Sequence, residues 1–192
     1  MKRGYFSSVY GRRPVPDIQR RTLKLYIIAG EPSGDLLAGR LIAALRHATD
    51  REVEFYGVGG ETMSREGLKS LFPMVELSVM GIAEILPQAF LLMRRMRETA
   101  RDIRRVQPDV VVTVDAPAFC FGVLKRLGNF PVRKIHYVAP SVWAWRPGRV
   151  HKFARVFDHL MALLPFEPPY FERAGLKTSF VGHSVAEAGG EK

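Results

Sequence analysis

The apolar positions of this chain gather into short, nearly unbroken runs at Leu23–Ala29, Val53–Val58, Val110–Asp115, Lys134–Val138 and Leu160–Leu164, with Ser179–Val181 as a sixth. Strands that face water on one side alternate apolar and polar residues. Unbroken runs instead mark parallel strands covered on both faces. Between them lie segments of helical type: Gly34–His47, Ile82–Val106, Phe119–Leu127, Pro147–Phe157 and Pro168–Ala174. Strand and helix taking turns predicts an α/β fold, an open parallel sheet with helices on both faces, Rossmann-like in plan. No internal repeat or low-complexity tract breaks the order. The expected domain runs over 23–185. Residues 1–22 are basic and lack the apolar centre of a signal peptide, so a disordered arm is expected there. The small, polar 186–192 reads as the start of a linker.

Composition narrows the class. A chain of 192 residues with 47% hydrophobic and 25% charged residues has enough material for one globular domain with a buried core. Its formal charge of +10 points to an anionic partner: nucleic acid, a phosphorylated substrate or an anionic membrane surface. A nucleic-acid binder would interleave cations with exposed aromatics along one face. Here the arginines gather beside an apolar helix and a tryptophan loop, so nucleic acid is set aside. The single cysteine, Cys120, precludes an internal disulfide, fits a reducing compartment and reads as a small core residue between Phe119 and Phe121. With the histidines scattered, no metal site and no cofactor are expected. No segment reaches the roughly 20 apolar residues that span a bilayer, and Asp115 interrupts the longest candidate, Val110–Leu124. The expectation is a cytoplasmic protein that touches a membrane from outside.

Ligands of an open parallel sheet bind beyond the carboxyl ends of the strands, and three stretches fall there. The first is Gly30-Glu31-Pro32-Ser33-Gly34-Asp35. Its glycines permit a sharp bend and a close approach, and Ser33 is suited to cap the helix by accepting from the N–H near Leu36. Free N–H groups at that helix end would receive an anion or polar oxygen. Neither a phosphate-loop Gly-Lys-Ser/Thr nor a Gly-x-Gly-x-x-Gly fingerprint is present. On its residues alone this is either a capped corner or part of a polar site. The second stretch, Val110–Phe119, ends a strand at Asp115, just before Ala116-Pro117. That carboxylate either caps the next helix or faces the cleft as a general base. The third, His136–Phe153, sets Trp143 and Trp145 beside Arg146, Arg149 and Lys152. Flat aromatic faces near cations suit sugars, bases or phosphates; alternatively, the tryptophans plug the domain against a neighbour. His136, within a strand, reads as a core histidine.

Together these stretches resemble one family. "AGEPSGD", "GVGG", "LSVMGIAEILP", "PDVVVTVDAP", "IHYVAPSVWAWRPGRV", "LLPFEPPYF" and "FVGHS" occur in the order and approximate spacing of lipid-A-disaccharide synthases, from about Leu23 to Val185. The resemblance implies a GT-B glycosyltransferase with two Rossmann-like domains facing each other across a cleft. It implies transfer of 2,3-diacylglucosamine from UDP-2,3-diacylglucosamine to the 6-hydroxyl of 2,3-diacylglucosamine 1-phosphate, with inversion and without metal, at the inner face of the bacterial inner membrane. Asp115 matches the family's essential aspartate, the expected base. Glu31, Ser33, Gly34 and Asp35 match the opening motif, which looks onto the cleft. Ser141, Trp143, Trp145, Arg146 and Arg149 match the tryptophan segment, and the two arginines become candidates for the acceptor phosphate.

The family's apolar membrane surface matches "LSVMGIAEILPQAFLLMRRMR". Ile82, Ile85, Leu86, Ala89, Met93 and Met96 form one helical stripe for the core. Val79, Met80, Phe90, Leu91 and Leu92 are then excess apolar surface, with Arg94, Arg95 and Arg97 following, the arrangement of an element resting on anionic membrane. Family members are nearly twice as long, and their second domain holds UDP through a Pro-Gly-Ser-Arg-like loop absent from this sequence. The resemblance is to the acceptor and membrane half, with a separate carboxyl-terminal half as partner. The alternative is a binding module that holds acceptor or membrane without transferring anything.

Overall fold

The computed structural model describes residues 22–77, 85–140 and 149–182, apart from the side chains of 85–88 and 149. The expectations placed on the basic arm, Val79, Met80, Ile82, Ser141, Trp143, Trp145, Arg146, the side chain of Arg149 and the tail from 183 lie outside the described residues. The elements run β1 Leu23–Ala29, α1 Pro32–Ala48, β2 Val53–Val58, α2 Glu61–Arg65, β3 Lys69–Ser70, a 3₁₀ turn Met74–Leu77 and α3 Ile85–Val106. They continue β4 Val110–Val114, α4 Pro117–Leu127, β5 Arg133–Tyr137, α5 Arg149–Val156, β6 His159–Ala162, α6 Pro168–Glu172 and β7 Thr178–Phe180.

Among the described residues, seven strands form one sheet in the order β3-β2-β1-β4-β5-β6-β7. All pairs are parallel, as the unbroken apolar runs require. Successive side chains of β1 go to opposite faces. Leu25, Ile27 and Ala29 pack with Ala38 and Ile42 of α1 and Met63 of α2. Tyr26 and Ile28 pack on the other face with Ala100 and Ile103 of α3, Phe119 and Val123 of α4, and Phe153 of α5. Full burial of each large apolar side chain in these layers contributes roughly 2 kcal/mol.

Element boundaries move for local reasons. Helix α1 opens at Pro32 rather than Gly34, and α4 at Pro117 rather than Phe119, since proline suits a first helical position whose N–H has no partner in the helix. Strand β4 stops at Val114 because Asp115 and Ala116 take φ of 53° and 44°. Strand β5 stops at Tyr137 because Val138 takes φ of 78°. Strand β3, α2 and the 3₁₀ turn went unpredicted. Cys120 and His136 are buried core residues as expected.

Helix α3 is rotated relative to the expected stripe. Leu92, Met96, Ala100, Ile103 and Val106 face the core, whereas Ala89 is exposed. Leu92 is therefore core-facing and not excess apolar surface. The run from Leu91 to Met93 offers two helical stripes, and packing on Phe119 and Val123 selects the one that continues to Ile103.

Candidate functional site

Strands β1 and β4 are neighbours, but the chain reaches β2 from β1 on one side and β5 from β4 on the other. The crevice at this switch point is where an open parallel sheet receives its ligand. Both helices that start there come very close to the opposite turn. A Cβ on Gly30 would lie 2.5 Å from Ala116 Cβ, and one on Gly34 would lie 3.3 Å from the Val114 carbonyl oxygen and 3.5 Å from Asp115 Cβ. A side chain at Gly30 would overlap unless something moved, and one at Gly34 would fit only tightly. The β4–α4 turn is strained as well, because two consecutive L-residues in the left-handed region cost roughly 1–2 kcal/mol each. Neighbours hold it: the Asp115 N–H donates to the Tyr137 carbonyl oxygen at 3.3 Å, and the Cys120 N–H to that of Ala116 at 3.1 Å.

The strain turns the Asp115 carboxylate back over the strand end. Its Oδ1 accepts from the Ala116 N–H at 3.0 Å, and its Oδ2 receives a long bond of 3.4 Å from the Ser33 hydroxyl. Asp115 thus caps no later turn of α4, whose N-cap is Ala116. Ser33 is not the cap of α1 either: Glu31 holds that position, without a side-chain cap bond. The proline at the first helical position shifts the helix start forward and leaves the Ser33 hydroxyl pointing across to β4. Glu31 is exposed beside it.

Asp35 departs from its expected role. Only 5% exposed, it accepts from the Gly60 N–H at 2.7 Å, the Thr62 N–H at 2.9 Å and the Met63 N–H at 3.2 Å. It caps the short helix α2 from a neighbouring helix, and its carboxylate is spent on backbone rather than offered to the cleft. A groove of about 650 Å³ opens next to this link, lined in part by Gly59, Gly60, Phe72 and Met74. Leu77, at the end of the 3₁₀ turn that begins at Met74, lies 3.7 Å from the position of a Gly30 Cβ. On the far side, Val138 follows Tyr137, which pairs with Val114, so the segment toward the tryptophans leaves the sheet beside Asp115.

Two buried titratable groups nearby, Cys120 and His136, are held toward their neutral forms. Burial pushes the Cys120 thiol up to about 12, which keeps it protonated. Burial likewise pushes His136 down to about 4, and its Nδ1 lies 2.7 Å from the Thr113 hydroxyl. Among the described residues, no three His, Cys, Asp or Glu side chains converge as a metal site would need.

A family model described as "Lipid-A-disaccharide synthetase" matches residues 25–191. The chain belongs to this family. A lipid-A-disaccharide synthase of Rhodospirillum centenum is 55% identical over 173 residues, which are 89% of this chain and 43% of that protein. One from Ruegeria pomeroyi is 54% identical over 175 residues, 90% of this chain and 43% of that protein. The chain thus spans less than half the length of these curated relatives. Among solved structures, a UDP-GlcNAc 2-epimerase from Neisseria meningitidis, bound to UDP-GlcNAc, superposes with a TM-score of 0.59 at 11% identity, over 86% of this chain and 47% of that one. A second structure, a UDP-N-acetylglucosamine 2-epimerase, gives 0.56 at 12% identity, over 82% of this chain and 46% of that one. At such identity the likeness speaks for the fold alone. It agrees with the Rossmann-like unit expected for one half of this family.

The residues expected to meet a membrane fall into exposed and engaged ones. Phe90 is 70% exposed, Arg94 is exposed and Leu91 half-buried. Arg95 is instead engaged within the fold: its guanidinium bonds Glu76 at 2.6 and 2.8 Å and Glu98 at 2.6 Å, and lies 4.6 Å above the Phe72 ring. The same bond holds the Glu76 carboxyl below its ordinary range. Arg95 is therefore a clamp between α3 and the 3₁₀ turn rather than a membrane contact. No helix among the described residues is long and apolar enough to cross a membrane. Two features of the site had no local signal in the sequence: the left-handed Ala116 and the left-handed Val138.

Proposed function

We propose that this chain supplies the acceptor side of the glycosyl transfer that builds the lipid A disaccharide. The 6-hydroxyl oxygen of 2,3-diacylglucosamine 1-phosphate attacks the anomeric carbon of UDP-2,3-diacylglucosamine. The bond from that carbon to the UDP oxygen breaks, UDP leaves with the electron pair, and the hydroxyl proton passes to the Asp115 carboxylate. Attack opposite the leaving group inverts the anomeric centre. The observation that carries this reading is the Asp115 carboxylate, held by a strained turn at the switch point, whose Oδ2 meets, among the described residues, the long Ser33 bond alone. Glu31 and Ser33 stand where an acceptor would enter, and by the family resemblance Ser141, Trp143, Trp145, Arg146 and Arg149 are the expected contacts for sugar and phosphate. The work is done at the cytoplasmic face of the inner membrane of a Gram-negative cell, where the acylated substrates reside.

Holding UDP and stabilising its developing charge supply most of such a rate. Those groups belong to a second, carboxyl-terminal half, so the 192-residue chain alone is expected not to turn over. Mixing it with a separately expressed carboxyl-terminal half of a relative should restore transfer to radiolabelled acceptor. In that mixture Asp115→Asn should lower the rate roughly 10²–10⁴-fold, the contribution of a positioned general base. Equal turnover by mutant and parent overturns the assignment of Asp115. Turnover by the chain alone overturns the half-enzyme reading. A mixture that binds acceptor and never transfers it favours the alternative, a binding module.

A further inference from the structure

Ser33 makes a hydrogen bond that local structure does not explain. It lies on the first turn of α1, where a serine hydroxyl ordinarily bonds backbone within its own turn. Here α1 has no side-chain cap bond, and the hydroxyl donates instead to Asp115 Oδ2, 82 residues further on. Among the described residues, that is the hydroxyl's one hydrogen bond. Glycine makes the reach possible. With no side chain at Gly34, the first turn of α1 sits against the end of β4, where an added Cβ would lie 3.3 Å from the Val114 carbonyl oxygen and 3.5 Å from Asp115 Cβ. The carboxylate has little else to fix it. Its Oδ1 takes the Ala116 N–H at 3.0 Å, a bond within the same left-handed turn. The fold itself gains little from the Ser33 bond, since the serine is exposed. At 3.4 Å the bond is also long beside the roughly 2.5–2.7 Å of a hydroxyl settled on a carboxylate. A long bond suits a base: it aims the carboxylate and leaves lone pairs of Oδ2 for a further proton.

We propose that Ser33 is a positioning residue. Its hydroxyl holds the Asp115 carboxylate in the one rotamer that carries Oδ2 across to α1, and it acts on transfer through Asp115 rather than by touching the acceptor. This rests on the reading of Asp115 as the base, and it reassigns Ser33, which the family resemblance placed among the substrate contacts. The two roles separate by chemistry. A substrate contact adds binding energy, so its loss raises the KM for acceptor. An aiming contact sets how often the base is in line, so its loss lowers kcat and leaves KM alone.

The test has two arms. In the 192-residue chain alone, three-bond NMR couplings across the Asp115 Cα–Cβ bond report its rotamer without any turnover. The parent and Ser33→Thr, which keeps the hydroxyl, should show one rotamer, and Ser33→Ala an average. Asp35, bonded by three backbone N–H groups, should hold one rotamer in all three proteins and serves as the control. Averaging at Asp115 in the parent, or a fixed rotamer in Ser33→Ala, overturns the proposal. In the mixture with a relative's carboxyl-terminal half, Ser33→Ala should lower kcat roughly 10- to 10²-fold and leave the acceptor KM within about twofold. Ser33→Thr should restore the rate. Added to Asp115→Asn, Ser33→Ala should cost nothing further, because its effect runs through the carboxylate. A raised KM, or losses that multiply in the double variant, returns Ser33 to substrate binding and overturns the proposal. A parent mixture without transfer, or one that Asp115→Asn matches, overturns the transfer reading or the base assignment; the couplings then decide alone whether Ser33 orients Asp115.

Discussion

The β1–α1 and β4–α4 turns lie side by side, each leaving a parallel strand for a helix that opens on proline, and each has an aspartate. In the first, Asp35 sits one turn into the helix, buried, with both oxygens filled by three backbone N–H groups of α2. In the second, Asp115 sits at the strand end on left-handed backbone, half-buried, with one backbone bond and the long bond from Ser33. The first turn is relaxed and its carboxylate is consumed by the fold. The second is strained and its carboxylate is left available. Strain persists where the surroundings over-determine it, and it tends to gather at sites that act on a ligand. What separates the consumed carboxylate from the available one here is how many donors the backbone of the described residues brings to it, not its motif.

The largest expected effect follows from that difference. Asp35→Ala strips the acceptor from the Gly60, Thr62 and Met63 amides, and should cost about 4 kcal/mol, as loss of a buried multiply bonded group does. Asp115→Ala, which gives up one backbone bond and the long Ser33 bond at a half-buried site, should cost only about 1 kcal/mol. Urea unfolding of the two variants checks this directly. Equal losses would mean that Asp115 too is a structural residue, and the contrast between the turns would collapse.

That contrast also marks where the sequence was legible. The parallel sheet could be read because unbroken apolar runs such as Leu23–Ala29 record burial on both faces, a property local to each strand. Asp115 could be placed because the end of such a run is itself local. Asp35 could not be read, since its partners lie 25 to 28 residues further on, in a five-residue helix that no periodicity announces. The phase of α3 failed for a related reason: Leu91, Leu92 and Met93 are all apolar, and only contact with α4 decides which of them turns inward. Strand β3 is two residues long, paired through Tyr56 and Gly57 of β2, and exists by pairing rather than by pattern.

Acid should act beside β4, where the buried His136 meets Thr113. Burial lowers His136 to about 4, so the folded chain holds it neutral while the unfolded chain protonates it near its ordinary value. The unfolded state then binds more protons between those two values, and stability rises with pH across that window. It is complete above the unfolded value and lost on acidification toward the folded one. At about pH 5 the loss should be about 2 kcal/mol relative to neutral pH. Urea midpoints of the parent at both pH values, against His136→Gln, test this. A variant with the same acid loss as the parent would assign the effect to other groups.

The smallest effect tests the contact between the two turns themselves. Ala116 adopts φ of 44°, a conformation open to glycine without penalty, so Ala116→Gly should relieve strain and leave a net gain of about 0.5 kcal/mol after glycine's added entropy in the unfolded chain. Gly30→Ala should do the reverse. Its new Cβ would lie 2.5 Å from Ala116 Cβ, an overlap neither backbone can avoid without moving, with a cost of about 1.5 kcal/mol. Because the next nearest atom is 3.7 Å away, removing the Ala116 methyl should remove nearly all of that overlap. The double variant Gly30→Ala, Ala116→Gly should therefore unfold within about 0.5 kcal/mol of the parent, a coupling larger than distant sites ever show. Thermal melts of the four proteins complete the cycle. If the single costs simply add, the two turns are not in contact at this point, and the close approach that frames Asp115 is not there.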